Sequence, residues 1–246
     1  MIIISAGMQK AGSAYIFNML NDLCSLSGGE DVRNIKKKYH LDGLLRHYNC
    51  NVGTLTGHKI LRLLWYSRRE GPFVVKTHRG PTRLLRFLLR TGMVKVVYIF
   101  RDPRDALLSA MDHGRRIAAA GEIHTFAALL SFDQAFTAVK AWASKWQQWS
   151  ACGGVHLLRY EDLLSDPAKE MEKIVAYLGF DARPVDIAAT LAAYNREKAG
   201  ASDKSEYLHF NVGISSRYRS EMPEDQKRRF RLEMGELLAR MGYPKD

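Results

Sequence analysis

A β-branched run that empties into a glycine turn opens this chain, and few folds accommodate one. Ile2-Ile3-Ile4-Ser5-Ala6 leads into Gly7-Met8-Gln9-Lys10-Ala11-Gly12-Ser13-Ala14-Tyr15, and a helical pattern follows over Ile16–Leu26. Strand, glycine-bearing turn and helix in that order aim backbone N–H groups and a helix N-terminus at one point, an arrangement suited to a phosphate. Three further runs, Phe73–Lys76, Val94–Phe100 and Val155–Leu158, are near-continuously apolar rather than alternating. Such runs belong to parallel strands covered on both faces. Helical patterns separate them, so the chain reads as α/β: a central, mostly parallel sheet flanked by helices. No internal repeat or low-complexity linker interrupts the 246 residues, which predicts one domain over 1–246.

Several helix ends are readable. Asp102-Pro103-Arg104-Asp105 supplies a capping carboxylate, a proline at the first helical position and acid in the first turn. Asp166-Pro167 repeats the device, and that helix carries Met171, Ile174, Val175 and Leu178 on one face before stopping at Gly179. Pro223-Glu-Asp opens a terminal helix with Phe230, Met234, Leu237, Leu238 and Met241 inward, ending at Gly242. Phe132, Phe136, Val139, Ala143 and Trp146 recur at helical spacing and predict a long helix between the third and fourth strands, its aromatic stripe in the core. Residues 28–58, with Lys36-Lys37-Lys38, and 195–222 show no such pattern and read as long loops, lids or binding segments.

Lys and Arg number 37 against 26 Asp and Glu, a net charge of +11. That sign favours nucleic acid, an acidic membrane face or a polyphosphorylated small molecule, unless the excess merely solvates the surface. Basic residues are dispersed rather than interleaved with aromatics, and no nucleic-acid module is recognisable, so no nucleic-acid partner is expected. Cys24, Cys50 and Cys152 are odd in number and scattered, which excludes a disulfide framework or a zinc site on paired thiolates and suits a reducing cytoplasm. The first residues lack a basic leader, and no apolar run is long enough for a membrane span; a cytoplasmic location is expected.

Polar clusters follow all four strands. Gly7 and Gly12 have the spacing of the first two glycines in a nucleoside-triphosphate loop, yet Ser13 stands where that loop needs its lysine, and the lysine here is Lys10. The anion cradle remains while an ATP site weakens. Lys76-Thr77-His78 closes the second strand; the histidine is a candidate general base, with a purely structural role as the alternative. Arg101 leaves the third strand, and Ser109 lies on the same helical face as the capping Asp102, two turns further in. Together they can hold a second phosphate, or Arg101 can pair with Asp102 or Asp105. Arg159-Tyr160-Glu161-Asp162 follows the fourth strand. Open parallel sheets bind ligands beyond the carboxyl ends of their strands, so the four clusters describe a ligand with at least two anionic groups.

Taken together these residues resemble the sulfotransferases that use 3′-phosphoadenosine-5′-phosphosulfate (PAPS). Gln9–Tyr15 is similar to the family's 5′-phosphosulfate loop, Arg101 and Ser109 to its 3′-phosphate pair, Lys76-Thr77-His78 to its K-T-H strand end, and Tyr160-Glu161-Asp162 to its Y-E-D signature. The resemblance implies a P-loop-like sulfotransferase fold. It implies transfer of a sulfuryl group from PAPS to a hydroxyl (or amine) of a small molecule, lipid or saccharide, leaving 3′,5′-ADP, with no metal. Lys10 would be the electrophilic stabiliser and His78 the base. Gln9, Ala11, Gly12, Ser13, Ala14 and Tyr15 would hold the 5′ end, Arg101 and Ser109 the 3′-phosphate, and Tyr160 the adenine. Departures are equally plain: Gln9, Ala11 and Ala14 replace proline and hydroxyl residues. Asn211-Val212-Gly213 stands where many members carry Arg-Lys-Gly, so Gly213 keeps its place and Arg217 or Arg219 is the candidate substitute for the basic pair. The family's C-terminal dimer motif is not evident, and no oligomer is indicated. His113, His124 and Trp142 either line the acceptor cleft or serve the core and surface. The competing readings are a P-loop small-molecule phosphotransferase and a non-catalytic polyanion or nucleic-acid binder.

Overall fold

Four parallel strands, β1 (Ile2–Gly7), β2 (Phe73–Thr77), β3 (Val94–Phe100) and β4 (Val155–Arg159), pair in the order β2-β1-β3-β4. The computed structural model describes residues 1–194 and 213–245. Ser5 stands opposite Lys76 on one side and Val97 on the other, and Gly7 opposite Ile99. The chain leaves β1 toward β2, then returns past β1 to reach β3 and β4. The order therefore reverses between β1 and β3, and the carboxyl ends on either side of that reversal open a crevice.

Around the sheet lie α1 (Ser13–Leu26), α2 (Val32–Lys38), α3 (Gly57–Glu70), α4 (Arg83–Arg90), α5 (Pro103–Ala119) and a 3₁₀ turn at Thr125–Ala128. Then come α6 (Phe132–Ser150), α7 (Tyr160–Ser165), α8 (Pro167–Leu178), α9 (Pro184–Ala193), α10 (Tyr218–Glu221) and α11 (Glu224–Arg240). Every residue of β1 and β2 is buried, as continuous apolar runs require. β4 departs from that expectation. It is the open edge of the sheet, and of its five residues Leu158 alone is fully buried.

The segment 28–58 is not a free loop. Asp31 caps α2 by accepting the Arg33 N–H at 2.7 Å. Further on, Val52 N–H donates to the Lys76 carbonyl (2.9 Å) and Lys76 N–H to the Cys50 carbonyl (3.3 Å), so residues 50–52 cover the outer edge of β2. An edge strand left bare is a site of wrong pairing, and this segment removes it.

The long aromatic helix is α6, started by a Ser131–Gln134 capping box, with Phe136, Val139, Ala143, Trp146 and Trp149 in the core. Among the described residues no helix is long and apolar enough to cross a membrane, and the three cysteines are free.

Two carboxylates organise the start of α5. Asp102 accepts the Arg104 N–H at 2.9 Å and grips the same residue's guanidinium at 3.0 Å and 2.8 Å, both side chains being buried. Asp105 accepts from the backbone N–H groups of Ser216 (2.6 Å) and Tyr218 (3.0 Å), tying the C-terminal segment to the sheet. Removing one member of a buried ion pair leaves the other charge uncompensated. Asp102→Ala should therefore lower stability by about 3 kcal/mol in urea unfolding with the slope unchanged. A loss below about 0.5 kcal/mol, typical of surface sites, would contradict the pairing.

Candidate active site

The turn after β1 is shaped by two left-handed residues, Lys10 (φ 64°) and Gly12 (φ 80°). Met8 N–H donates to the Ile99 carbonyl at 2.9 Å, which pins the turn to β3. At Gly12 a side chain is excluded as well as unfavourable, since a Cβ would stand 3.0 Å from the Tyr160 ring. Glycine meets both demands. Ala11, expected among the ligand contacts, donates its N–H to the Met8 carbonyl and is buried away from the cavity, so the turn spends that donor on itself. The N–H groups of Gly12, Ser13 and Ala14 have no acceptor among the described residues. They sit at the positive end of a 14-residue helix.

These donors open on a cavity of about 600 Å³ at the β1/β3 crevice. Gln9, Lys10, Gly12, Ser13, Ala14 and Tyr15 form one wall; Arg101, Ser109, Tyr160 and Gly213 form the next. Asn49, Lys76 and His78 close the β2 side, with His113 and Phe126 above, while Leu163, Leu164, Leu191 and Tyr194 make an apolar end. No carboxylate lines this cavity among the described residues, whereas Lys10, Lys76 and Arg101 all do.

Burial, with Arg116 and Arg101 nearby, pushes the Lys10 ammonium down to about 8. It rests 5.5 Å from the centroid of the Phe126 ring, a cation–π contact. Lys76, 5% exposed, is likewise pushed down to about 8 by burial. His78 is fixed by chemistry. Its Nδ1 lies 2.8 Å from the Gly7 carbonyl, which can only accept, so Nδ1 carries the proton and Nε2 keeps a lone pair. Burial first, then the Lys76 charge, lowers its pKa to about 3.

Arg101 is almost fully buried. One terminal nitrogen donates to the Ile214 carbonyl (2.6 Å) and reaches Asp105 (3.4 Å), and the guanidinium stacks 4.7 Å from the Tyr160 ring. The ion pair open as an alternative in the sequence thus forms with Asp105, because Asp102 is occupied by Arg104. Arg101 Nε is buried and has no partner among the described residues, a donor open to an acceptor. Free donors at the helix start and an orphaned guanidinium nitrogen both fit a ligand that is anionic at two ends.

A model of the sulfotransferase domain family matches residues 3–242. The chain belongs to that family. Sulfotransferase 1A1 of Bos taurus is 30% identical over 112 residues, covering 44% of this chain and 38% of the relative. Sulfotransferase 2A2 of Rattus norvegicus is 24% identical over 149 residues, covering 57% of this chain and 50% of that protein. The matches therefore span half or less of these relatives' length. Mouse sulfotransferase SULT7A1 complexed with PAP superposes with a TM-score of 0.60 at 16% identity, over 96% of this chain and 83% of that one. Retinol dehydratase in complex with retinol and PAP gives 0.60 at 18%, over 96% and 81%. Both establish the sulfotransferase fold.

Within that fold the expectation for Arg217 changes. Arg217 does not face the cavity; it donates to Asp112 at 2.9 Å and to Glu221 at 2.8 Å and 2.7 Å. Carboxylates on α5 and α10 claim it, and Gly213 reaches the cavity instead. Asn211 and Val212 lie outside the described residues, as does most of the loop expected over 195–222. His113 lines the cavity; His124 is exposed and caps the 3₁₀ turn; Trp142 is buried 5.8 Å behind Phe126. Asn49, Lys76, Phe126 and Tyr194 are among the wall residues that had no assigned role. Lys76 had a readable signal, since a lysine inside a buried run needs a polar destination. Phe126 sits in a stretch without periodicity and had none.

The geometry of His78 makes a spectroscopic prediction. Its ¹⁵N resonances should report a proton on Nδ1 and stay flat from about pH 5 to about pH 8; a midpoint near the ordinary histidine value of about 6.5 would contradict it.

Proposed function

We propose that the cavity binds PAPS and that the protein transfers its sulfuryl group to an acceptor hydroxyl, releasing 3′,5′-ADP. The observation that carries this reading is a cavity with no carboxylate in its wall among the described residues, walled by Lys10, Lys76 and Arg101, with N–H groups on one side that find no acceptor among those residues and Arg101 and Ser109 on the other. PAP, present in the two structural relatives, is what remains of PAPS once the sulfuryl group has left.

When bound, PAPS supplies a sulfuryl group on a phosphate leaving group. The chain's residues account for the rest. The N–H groups of Gly12, Ser13 and Ala14, with the Ser13 hydroxyl, hold the 5′ end, while Gln9 and Tyr15 border it. Lys10 neutralises the negative charge that grows as the phosphate departs, in a site where water is scarce and a cation acts strongly. Arg101 and Ser109 take the 3′-phosphate, the feature that separates this donor from ATP, with Gly213 allowing close approach of backbone. Tyr160 on α7, beside Leu163 and Leu164, offers an aromatic and apolar wall to the adenine.

His78 Nε2 accepts the acceptor's proton. A pKa of about 3 makes it a weak base in the empty cavity, but anionic charge brought alongside raises it toward the working range. The Gly7 carbonyl supports the change by orienting the ring and stabilising its charged form. A small, partly apolar acceptor suits the Phe126 and His113 wall, and retinol and androsterone appear in solved relatives.

Arg101→Ala should raise the Kd for 3′,5′-ADP by about 10–100-fold, the worth of a charge-assisted hydrogen bond, while changing that for 5′-AMP by less than about threefold. Equal losses would remove the 3′-phosphate assignment. In a screen of acceptors with labelled PAPS, Lys10→Ala should cut turnover by about 10²–10³-fold; near-normal turnover would remove its role.

The lysines add a pH signature. With both ammonium groups at about 8 in the free protein, an incoming anion raises them, so binding takes up protons above that pH and affinity falls as pH increases. Calorimetry of 3′,5′-ADP in buffers of different ionisation enthalpy should show this uptake at about pH 8.5, and less of it in Lys10→Met. Proton release on binding would contradict the sign.

A further inference from the structure

Much of the positive charge lies on surfaces the cavity does not use. On α3 the exposed positions Leu61, Arg62, Trp65, Arg68 and Arg69 follow helical spacing, while Ile60, Leu63, Tyr66 and Ser67 are buried. α4 repeats the pattern, with Arg83, Arg86, Phe87 and Arg90 exposed over buried Leu85, Leu88 and Leu89. The two helices pack on β1 and β3 and against each other, where Gly57 faces Leu84. Both neighbouring helices thus turn an arginine-rich stripe outward.

These stripes carry six arginines, and none of them has a carboxylate within ion-pair distance among the described residues. Glu70, the single acid on these helices, is held by Lys38 at 2.8 Å and by Tyr39. Interspersed with the arginines are Leu61 (61% exposed), Trp65 (48%) and Phe87 (60%). The Arg69 guanidinium stacks 4.2 Å from the Trp65 ring. Scattered apolar residues on a surface are ordinary; an aromatic pair and a leucine set within unpaired arginines on two neighbouring helices are not.

We propose that the α3/α4 face docks on an anionic lipid surface. Arginines meet acidic headgroups while their stems, and Leu61, Trp65 and Phe87, enter the interfacial layer, as on amphipathic helices that lie in a membrane plane. A second copy of this chain would set arginine against arginine. Nucleic acid would satisfy the charges and leave the three apolar side chains against phosphate. Docking is independent of the catalytic reading and is measured without turnover.

Trp65 is the exposed member of four tryptophans, the others being at most 7% exposed, so emission reports on it. The full chain is mixed at low salt with vesicles of phosphatidylcholine alone or containing about one third phosphatidylglycerol. Sedimentation with the acidic vesicles only, with a blue shift in emission that Trp65→Phe abolishes, is the expected result. Arg86→Glu/Arg90→Glu should weaken binding by about tenfold or more, and Leu61→Ser/Phe87→Ser should weaken it while circular dichroism melting stays near the parent's. No sedimentation with acidic vesicles overturns the proposal. So does binding without an emission shift, binding indifferent to these substitutions, or capture of duplex DNA in preference to the vesicles.

Discussion

The carbonyl of Gly7 accepts a hydrogen bond from His78 Nδ1, and that bond makes one unit of two strands' carboxyl ends. It sets the histidine tautomer, so the nitrogen left free is the one able to take a proton. It also anchors the turn whose next residue, Met8, is bonded to β3. Gly7 has no room for a side chain: a Cβ would lie 2.7 Å from Ile99 Cγ2. Close packing of strand against strand is thus what brings the glycine turn and the candidate base into the same crevice. The bond itself contributes only about 1 kcal/mol net, but leaving either buried group unmade would cost more.

A second constraint concerns where charge is allowed to stay unpaired. Carboxylates in this protein are spent away from the cavity: Asp102 on Arg104, Asp105 on the backbone of residues 216 and 218 and on Arg101, Asp112 and Glu221 on Arg217. What remains facing the cavity is positive. Lys10 and Lys76 face the cavity with no carboxylate in its wall among the described residues, and burial disfavours their charged forms; under the proposed function an anionic ligand relieves that cost. Asp105 has a double part, because the same carboxylate that steadies Arg101 also draws Gly213 toward the site. Function and stability meet in that first turn of α5.

Much of this was legible in the residues. Continuous apolar runs located all four strands, and Asp102-Pro103 and Asp166-Pro167 located two helix starts, because those signals are local. Lys10, His78, Arg101, Ser109 and Tyr160 could be grouped because parallel strands deliver their carboxyl ends to one edge. Long-range packing was not legible. Nothing local says that residues 50–52 cover β2, that Phe126 receives the Lys10 ammonium, or that Asp112 captures Arg217. Nor does the loop motif, which counts residues, say that the Ala11 N–H turns to the Met8 carbonyl, because the left-handed turn at Lys10 decides which N–H groups face outward. The edge position of β4 likewise follows from strand order rather than from its own composition.

The proposed function requires the cavity to grip one nucleotide at both phosphates, and a crystal structure with 3′,5′-ADP examines that directly. The 5′-phosphate should lie on the N–H groups of Gly12, Ser13 and Ala14 beside the Lys10 ammonium, with the 3′-phosphate accepting from Arg101 Nε and Ser109. A nucleotide bound elsewhere, or one whose 3′-phosphate points into solvent while Arg101 keeps only its contacts to Ile214 and Asp105, would contradict it.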